Sequence, residues 1–109
     1  MEDCIFCKII RNEIPAEIVY EDESVFAFND ANPAAPVHIL VVPKEHITWL
    51  FDLKPEQNEL IGHIHFVMKE IAREKGLESF RVLCNCGEDA GQAVFHLHFH
   101  ILGGRTFGR

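Results

Sequence analysis

The segment VFHLHFHIL, Val94 to Leu102, places histidines at three alternate positions of an otherwise apolar run. A period of two is the period of a β-strand, where next-but-one side chains share a face and stand roughly 6.6 Å apart. On a strand, His96, His98 and His100 line one face, while Phe95, Leu97, Phe99 and Ile101 form an apolar face turned toward a core. On a helix the same spacing would scatter the rings, with His98 roughly 200° round from His96. The run therefore asks for a sheet with one greasy side and one side lined by imidazoles.

The rest of the pattern supplies partners for such a strand. CIFCKIIRNEIP reads as a short N-terminal helix ending before Pro15. Ile18 to Glu21 and Val25 to Phe28 read as two short strands around a turn at Asp22 to Ser24. ANPAAP is a loop, and VHILVVP is a β-branched central strand that stops at Pro43. From Pro55 to Lys75 the period lengthens. Leu60, Ile64, Val67, Met68 and Ile71 fall on one face of an amphipathic helix, and Gly76 is a natural stop for it. SFRVLCNCG returns to strand character, and the polar loop GEDAGQ leads into the histidine run. His63 and His65 repeat the two-residue spacing inside the long helix, where such residues do not face each other, so they read as surface or boundary histidines. The order of short helix, three strands, long helix and two strands predicts one α+β domain over residues 1–109, its long helix packed on an antiparallel sheet.

Charge narrows the partners. The formal net charge is −7 and the ten Lys and Arg are scattered along the 109 residues. Polymer nucleic acid and anionic membrane are disfavoured, because both bind through clustered basic groups. A small phosphorylated ligand is compatible, since a pocket can be positive on an acidic protein. No apolar run approaches the roughly 20 residues of a membrane span, and the acids and charges of MEDCIFCKIIRNEIP do not fit a signal peptide. The expectation is a soluble, cytoplasmic protein with reduced cysteines. Cys4 and Cys7 have the spacing of half a zinc site; Cys84 and Cys86 read as small buried hydrophobes on one face of a strand.

Three explanations meet at the strand histidines: core-edge rings satisfied by backbone carbonyls, a metal site, or nucleophilic catalysis with one ring attacking and its neighbours orienting it. Composition and spacing do not separate the last two. HLHFHIL, however, is similar to the motif His-apolar-His-apolar-His-apolar-apolar of the histidine-triad superfamily of nucleotide hydrolases and transferases. CIFCKII, EIP, AFND, VHILVVPKEHI, NCGEDAGQAVFH and HILGGR stand in the order and spacing of that family, so the resemblance covers nearly the whole chain. LGGR most resembles its purine nucleoside phosphoramidase branch.

The resemblance implies a five-stranded sheet, a homodimer and a nucleotidyl-histidine mechanism. His98 would attack the α-phosphorus of a purine nucleoside 5′-phosphoramidate or acyl-nucleotide, and water would then release AMP or GMP. His38 would hold the ring orientation, His100 would donate to a phosphate oxygen and His96 would line the same site. Asp30 matches the acid that accepts both ribose hydroxyls; by itself it also reads as a loop Asp capping the turn before Pro33. Asn85 and Gln92 match positions that contact phosphate or leaving group, and Ile5, Phe6, Ile9 and Phe28 would sandwich the base. Cys4, Cys7, His46 and His96 match the ligands of a structural Zn2+ found in some bacterial relatives. Two departures bear on the leaving group: Ala93 stands where many relatives of the branch carry a serine, and the sequence stops at GGRTFGR, short of the longer tail of others. A dinucleoside polyphosphate hydrolase and a non-catalytic nucleotide- or zinc-binding module are the competing readings.

Overall fold

The computed structural model describes residues 3–108. Their element order is α1 (Ile5–Ile10), β1 (Ile18–Glu21), β2 (Val25–Asn29), β3 (Val37–Pro43), α2 (Asn58–Glu74), β4 (Arg81–Leu83) and β5 (Phe99–Gly103), with three single 3-10 turns between them. The strands form one antiparallel sheet in the order β1-β2-β3-β5-β4. This is the expected α+β arrangement.

Strand alternation divides the core between the two sides of the sheet. Val25 and Ala27 of β2, Ile39 and Val41 of β3, and Phe99 and Ile101 of β5 pack with Ile64, Val67, Met68 and Ile71 of α2. Those α2 positions recur at helical spacing, and burying each contributes roughly 1.5–3 kcal/mol relative to leaving it exposed. The intervening residues Phe26, Phe28, Leu40 and Val42 pack on the other side, against Phe6 of α1. His38 and His100 have the parity of this second side, and Leu40 pairs directly with His100 in the ladder. The imidazole face is therefore the α1 face.

Two strands are shorter than the sequence suggests, for one reason. The β3–β5 register runs from Val37↔Gly103 to Val41↔Phe99, and two more steps would set Pro43 opposite Leu97. Pro43 has no N–H to give the ladder. Its carbonyl instead accepts from His96 Nε2 at 2.8 Å, and the Leu97 N–H goes to Ile47 O at 2.6 Å. Val94 to His98 thus lie outside the strand. Phe95, expected on the core face, is 41% exposed and meets Trp49 edge-on. In the β4–β5 register Phe99, the first residue of β5, stands opposite Cys84, so Asn85 and Cys86 have no ladder partner, and Cys84, Asn85 and Cys86 follow the strand instead of alternating within it. Both thiols are half-buried, and only Cys84 packs against the main core.

The short helix also ends early. Asn12 takes the left-handed conformation at φ 66°, and the Glu13 N–H bonds Lys8 O at 2.8 Å, closing α1 well ahead of Pro15. Pro55–Gln57 form a 3-10 turn that leads into α2.

Candidate functional site

Each triad histidine has one ring nitrogen fixed by a backbone or neighbouring group, and the free nitrogen follows from that. His98 Nδ1 lies 2.7 Å from its neighbour's carbonyl, His96 O. A carbonyl only accepts, so Nδ1 carries the proton and Nε2 keeps its lone pair. Burial holds this imidazole below its ordinary pKa, against the opposing bond to His96 O and the charge of Asp30. His98 is thus a neutral ring with one available lone pair.

The tautomer of His100 is inherited from outside the triad. The Ala34 N–H donates to His38 Nδ1 at 3.0 Å, which leaves the His38 proton on Nε2. That nitrogen is 2.9 Å from His100 Nδ1 and 3.4 Å from Asp30 Oδ2. His100 Nδ1 accepts, so His100 Nε2 bears the remaining N–H. It is a buried polar atom with no partner among the described residues. An unsatisfied donor at such depth is costly, which makes this N–H the natural contact for an anionic oxygen of a ligand. Burial, then the neighbouring His98 and His38, depress the His100 pKa to about 4.

His96 is turned the other way. It is fully buried, and its Nε2–H is held by Pro43 O. Nδ1 faces Cys4 Sγ at 3.4 Å and Cys7 Sγ at 3.6 Å. His46 Nδ1 lies 3.4 Å from Cys7 Sγ, and the four donor atoms are all within 4.8 Å of one another. A tetrahedral Zn2+ with Zn–S near 2.3 Å and Zn–N near 2.05 Å requires sulfur-to-nitrogen edges of about 3.6 Å. The three observed contacts match that edge, so the donor set fits the ion. Burial and the adjacent Cys4 push the Cys7 thiol up, a penalty on the thiolate that a divalent cation would remove. Asp30, His38 and His100 are comparably close together. A metal on His38 Nε2 would force the ring proton onto Nδ1, against the Ala34 N–H, so this second cluster fits a hydrogen-bond relay instead.

Helix α1 joins the two centres. Cys4 is its N-cap, with Sγ accepting from the Cys7 N–H. Phe6 packs edge-on against His98 at 5.1 Å, His96 at 5.8 Å and Phe28 at 5.4 Å. On its outer side Ile5 and Ile9, with Phe28 and Pro15, line an apolar cleft of about 540 Å³. Phe6, placed by the sequence in the base sandwich, lies beneath this cleft as packing. Asp30 stands half-buried near its end, with Oδ1 accepting from the Asn32 N–H at 2.8 Å in the turn before Pro33. Its other oxygen, Oδ2, is the one near His38. A second cavity of about 410 Å³ runs past Cys4, Thr48 and Ala93.

Gln92 is almost fully buried. Its Oε1 accepts from the Gly87 N–H, and its Nε2 donates to Thr48 O and Val94 O, all within 3.1 Å. Its amide therefore ties the β4–β5 connection to itself and to the β3–α2 connection, leaving a single acceptor lone pair. Asn85 lies beside Gly91, beyond the end of β4. The sequence reading missed the carbonyls of Pro43 and His96 and the N–H of Ala34. Backbone groups carry no residue signal, so only the fold reveals them.

The family described as "Scavenger mRNA decapping enzyme C-term binding" matches residues 3–107. The chain belongs to the histidine-triad superfamily. A histidine triad protein from Clostridium difficile is similar over 100% of this chain and 96% of its own, at 53% identity and a TM-score of 0.96. A HIT family hydrolase from Clostridium thermocellum covers 100% and 96%, at 46% identity and a TM-score of 0.97. A 14 kDa zinc-binding protein of Zea mays is 47% identical, covering 93% of this chain and 81% of its own. This histidine-triad chain thus shares the fold of these solved neighbours, one of which is called a hydrolase.

Proposed function

We propose that the protein cleaves purine nucleoside 5′-monophosphate adducts, phosphoramidates and acyl-nucleotides, through a nucleotidyl-His98 intermediate. The observation that carries this reading is the pairing of a free Nε2 lone pair on His98 with an unpartnered Nε2–H on His100, the two rings 5.1 Å apart. His98 Nε2 attacks the α-phosphorus and the bond to the leaving nitrogen or oxygen breaks; the amine departs with a proton gained, the acid as a carboxylate. His100 Nε2–H hydrogen-bonds a phosphoryl oxygen as charge develops there, the main demand of phosphoryl transfer. Water then opens the phosphorus–nitrogen bond and releases the nucleoside monophosphate. Asp30 takes the ribose hydroxyls, and the cleft of Ile5, Ile9 and Phe28 takes the base.

The cluster Cys4, Cys7, His46 and His96 would hold one structural Zn2+, supported by the sulfur–nitrogen edges and by the zinc-binding maize relative. Such an ion contributes folding free energy, not a reaction step. A homodimer is supported by β4, an edge strand carrying the exposed Val82, and by the exposed Phe66 of α2. The deciding assay is turnover of adenosine 5′-phosphoramidate beside diadenosine tetraphosphate, with His98→Ala as control. Release of AMP from the phosphoramidate, lost in the variant, supports the proposal. Turnover of the tetraphosphate alone moves the protein to the polyphosphate hydrolases, and no turnover of either leaves a binding module.

A further inference from the structure

We propose that Glu17 makes the apolar cleft selective for guanine over adenine. Glu17 is the only charged residue among those lining the cleft, and Asn29 is beside it. The two are held together: the Asn29 N–H donates to Glu17 O at 3.0 Å, and Asn29 Nδ2 lies 3.5 Å from Glu17 Oε1. Asn29 directly precedes Asp30, the ribose acceptor in the nucleotide reading on which this inference rests. A base seated between Ile9 and Phe28 with its ribose at Asp30 therefore turns its sugar edge toward the Glu17–Asn29 pair.

On that edge adenine and hypoxanthine offer only the acceptor N3, whereas guanine adds the N2 amine as a donor. A carboxylate accepts and cannot donate. Glu17 finds a partner in the guanine amine, whereas adenine and hypoxanthine present only a C2–H at that position, and the carboxylate is left without a donor. The Asn29 amide can serve N3 of any purine, so it positions the base without choosing it. Discrimination then rests on one carboxylate and one amine, at a rim open to water, which sets its scale at about tenfold.

The test is calorimetric titration of the whole protein with GMP, IMP and AMP, in the natural sequence and in Glu17→Ala and Glu17→Gln, with circular dichroism confirming the fold. IMP lacks only the amine, so the GMP-to-IMP ratio isolates the contact. The expected ratio is about tenfold, falling to within about twofold in Glu17→Ala, with Glu17→Gln, a neutral acceptor, between the two. Equal affinities in the natural protein, or a GMP preference that survives Glu17→Ala, overturn the assignment while leaving nucleotide binding intact. Failure of the folded protein to bind any of the three overturns the nucleotide reading itself, and this inference with it.

Discussion

The carbonyl oxygen of His96 stands 2.7 Å from Nδ1 of His98, while the ring of His96 points away to Cys4 and Cys7. One residue thereby aims the His98 ring with its backbone and belongs to the cysteine cluster with its side chain.

Replacing His98 by Ala removes the only ring whose free nitrogen is a lone pair at this site, so turnover should fall to background while nucleotide still binds. His38→Ala acts one step further out, by freeing His100 Nδ1. Its expected cost is about tenfold to a hundredfold in kcat, the scale for a group that orients another. Steady-state kinetics beside nucleotide titration separate the two; equal losses in both variants would contradict the assigned roles.

Acid should destabilise the fold over a defined window. Burial holds His100 neutral, with a pKa of about 4 against 6.5 for an ordinary imidazole. Between those values the unfolded chain binds the extra proton, so stability is full above pH 6.5 and is lost as pH falls toward 4. The slope for one such histidine is at most about 1.4 kcal/mol per unit. Urea titrations at pH 7, 6, 5 and 4.5 measure it, and His100→Asn should make the curve shallower by this one histidine's share, since His96 and His98 are depressed too. A midpoint independent of pH would refute the neutral, buried state.

Metal content tests the cysteine cluster. The purified protein should carry one zinc per chain by atomic absorption, and Cys7→Ser and His46→Ala should lose it. Chelation should lower the Tm of the natural protein and leave that of the metal-free variants unmoved. Zinc retained by Cys7→Ser would place the ion elsewhere.

Gly104→Ala should destabilise by about 1–3 kcal/mol. The residue sits at φ +89°, and a Cβ there would come within 2.8 Å of Pro36 Cβ. Denaturant unfolding checks it, with Gly108→Ala, where a Cβ meets open space, as the comparison.

The same glycine shows what was readable in the sequence. LGGR matched a family pattern, but the reason for it lies in space: Leu77 crowds Gly103 and Pro36 crowds Gly104. Periodic elements were legible, because Ile64, Val67, Met68 and Ile71 declare a buried helix face by spacing alone. The histidine run was half legible. Its alternation holds at Phe99, His100 and Ile101 and fails at Phe95, where a proline on the neighbouring strand ends the ladder. Contacts between distant positions left no local trace. Asp22 and His63 bond at 2.7 Å across 41 positions, fastening the β1–β2 turn to α2. Gln92 was recognisable as a residue of interest, yet its three partners are backbone atoms that no residue type announces.

The Cys4–His96 contact closes a loop of 92 positions, tying the first helix to the segment that enters the last strand. During synthesis Cys4 is made 92 positions ahead of the histidine it meets. The His98 ring and the outer cleft wall depend on the same closure, through Phe6 and Ile5. A chain interrupted before position 96 therefore lacks both clusters at once.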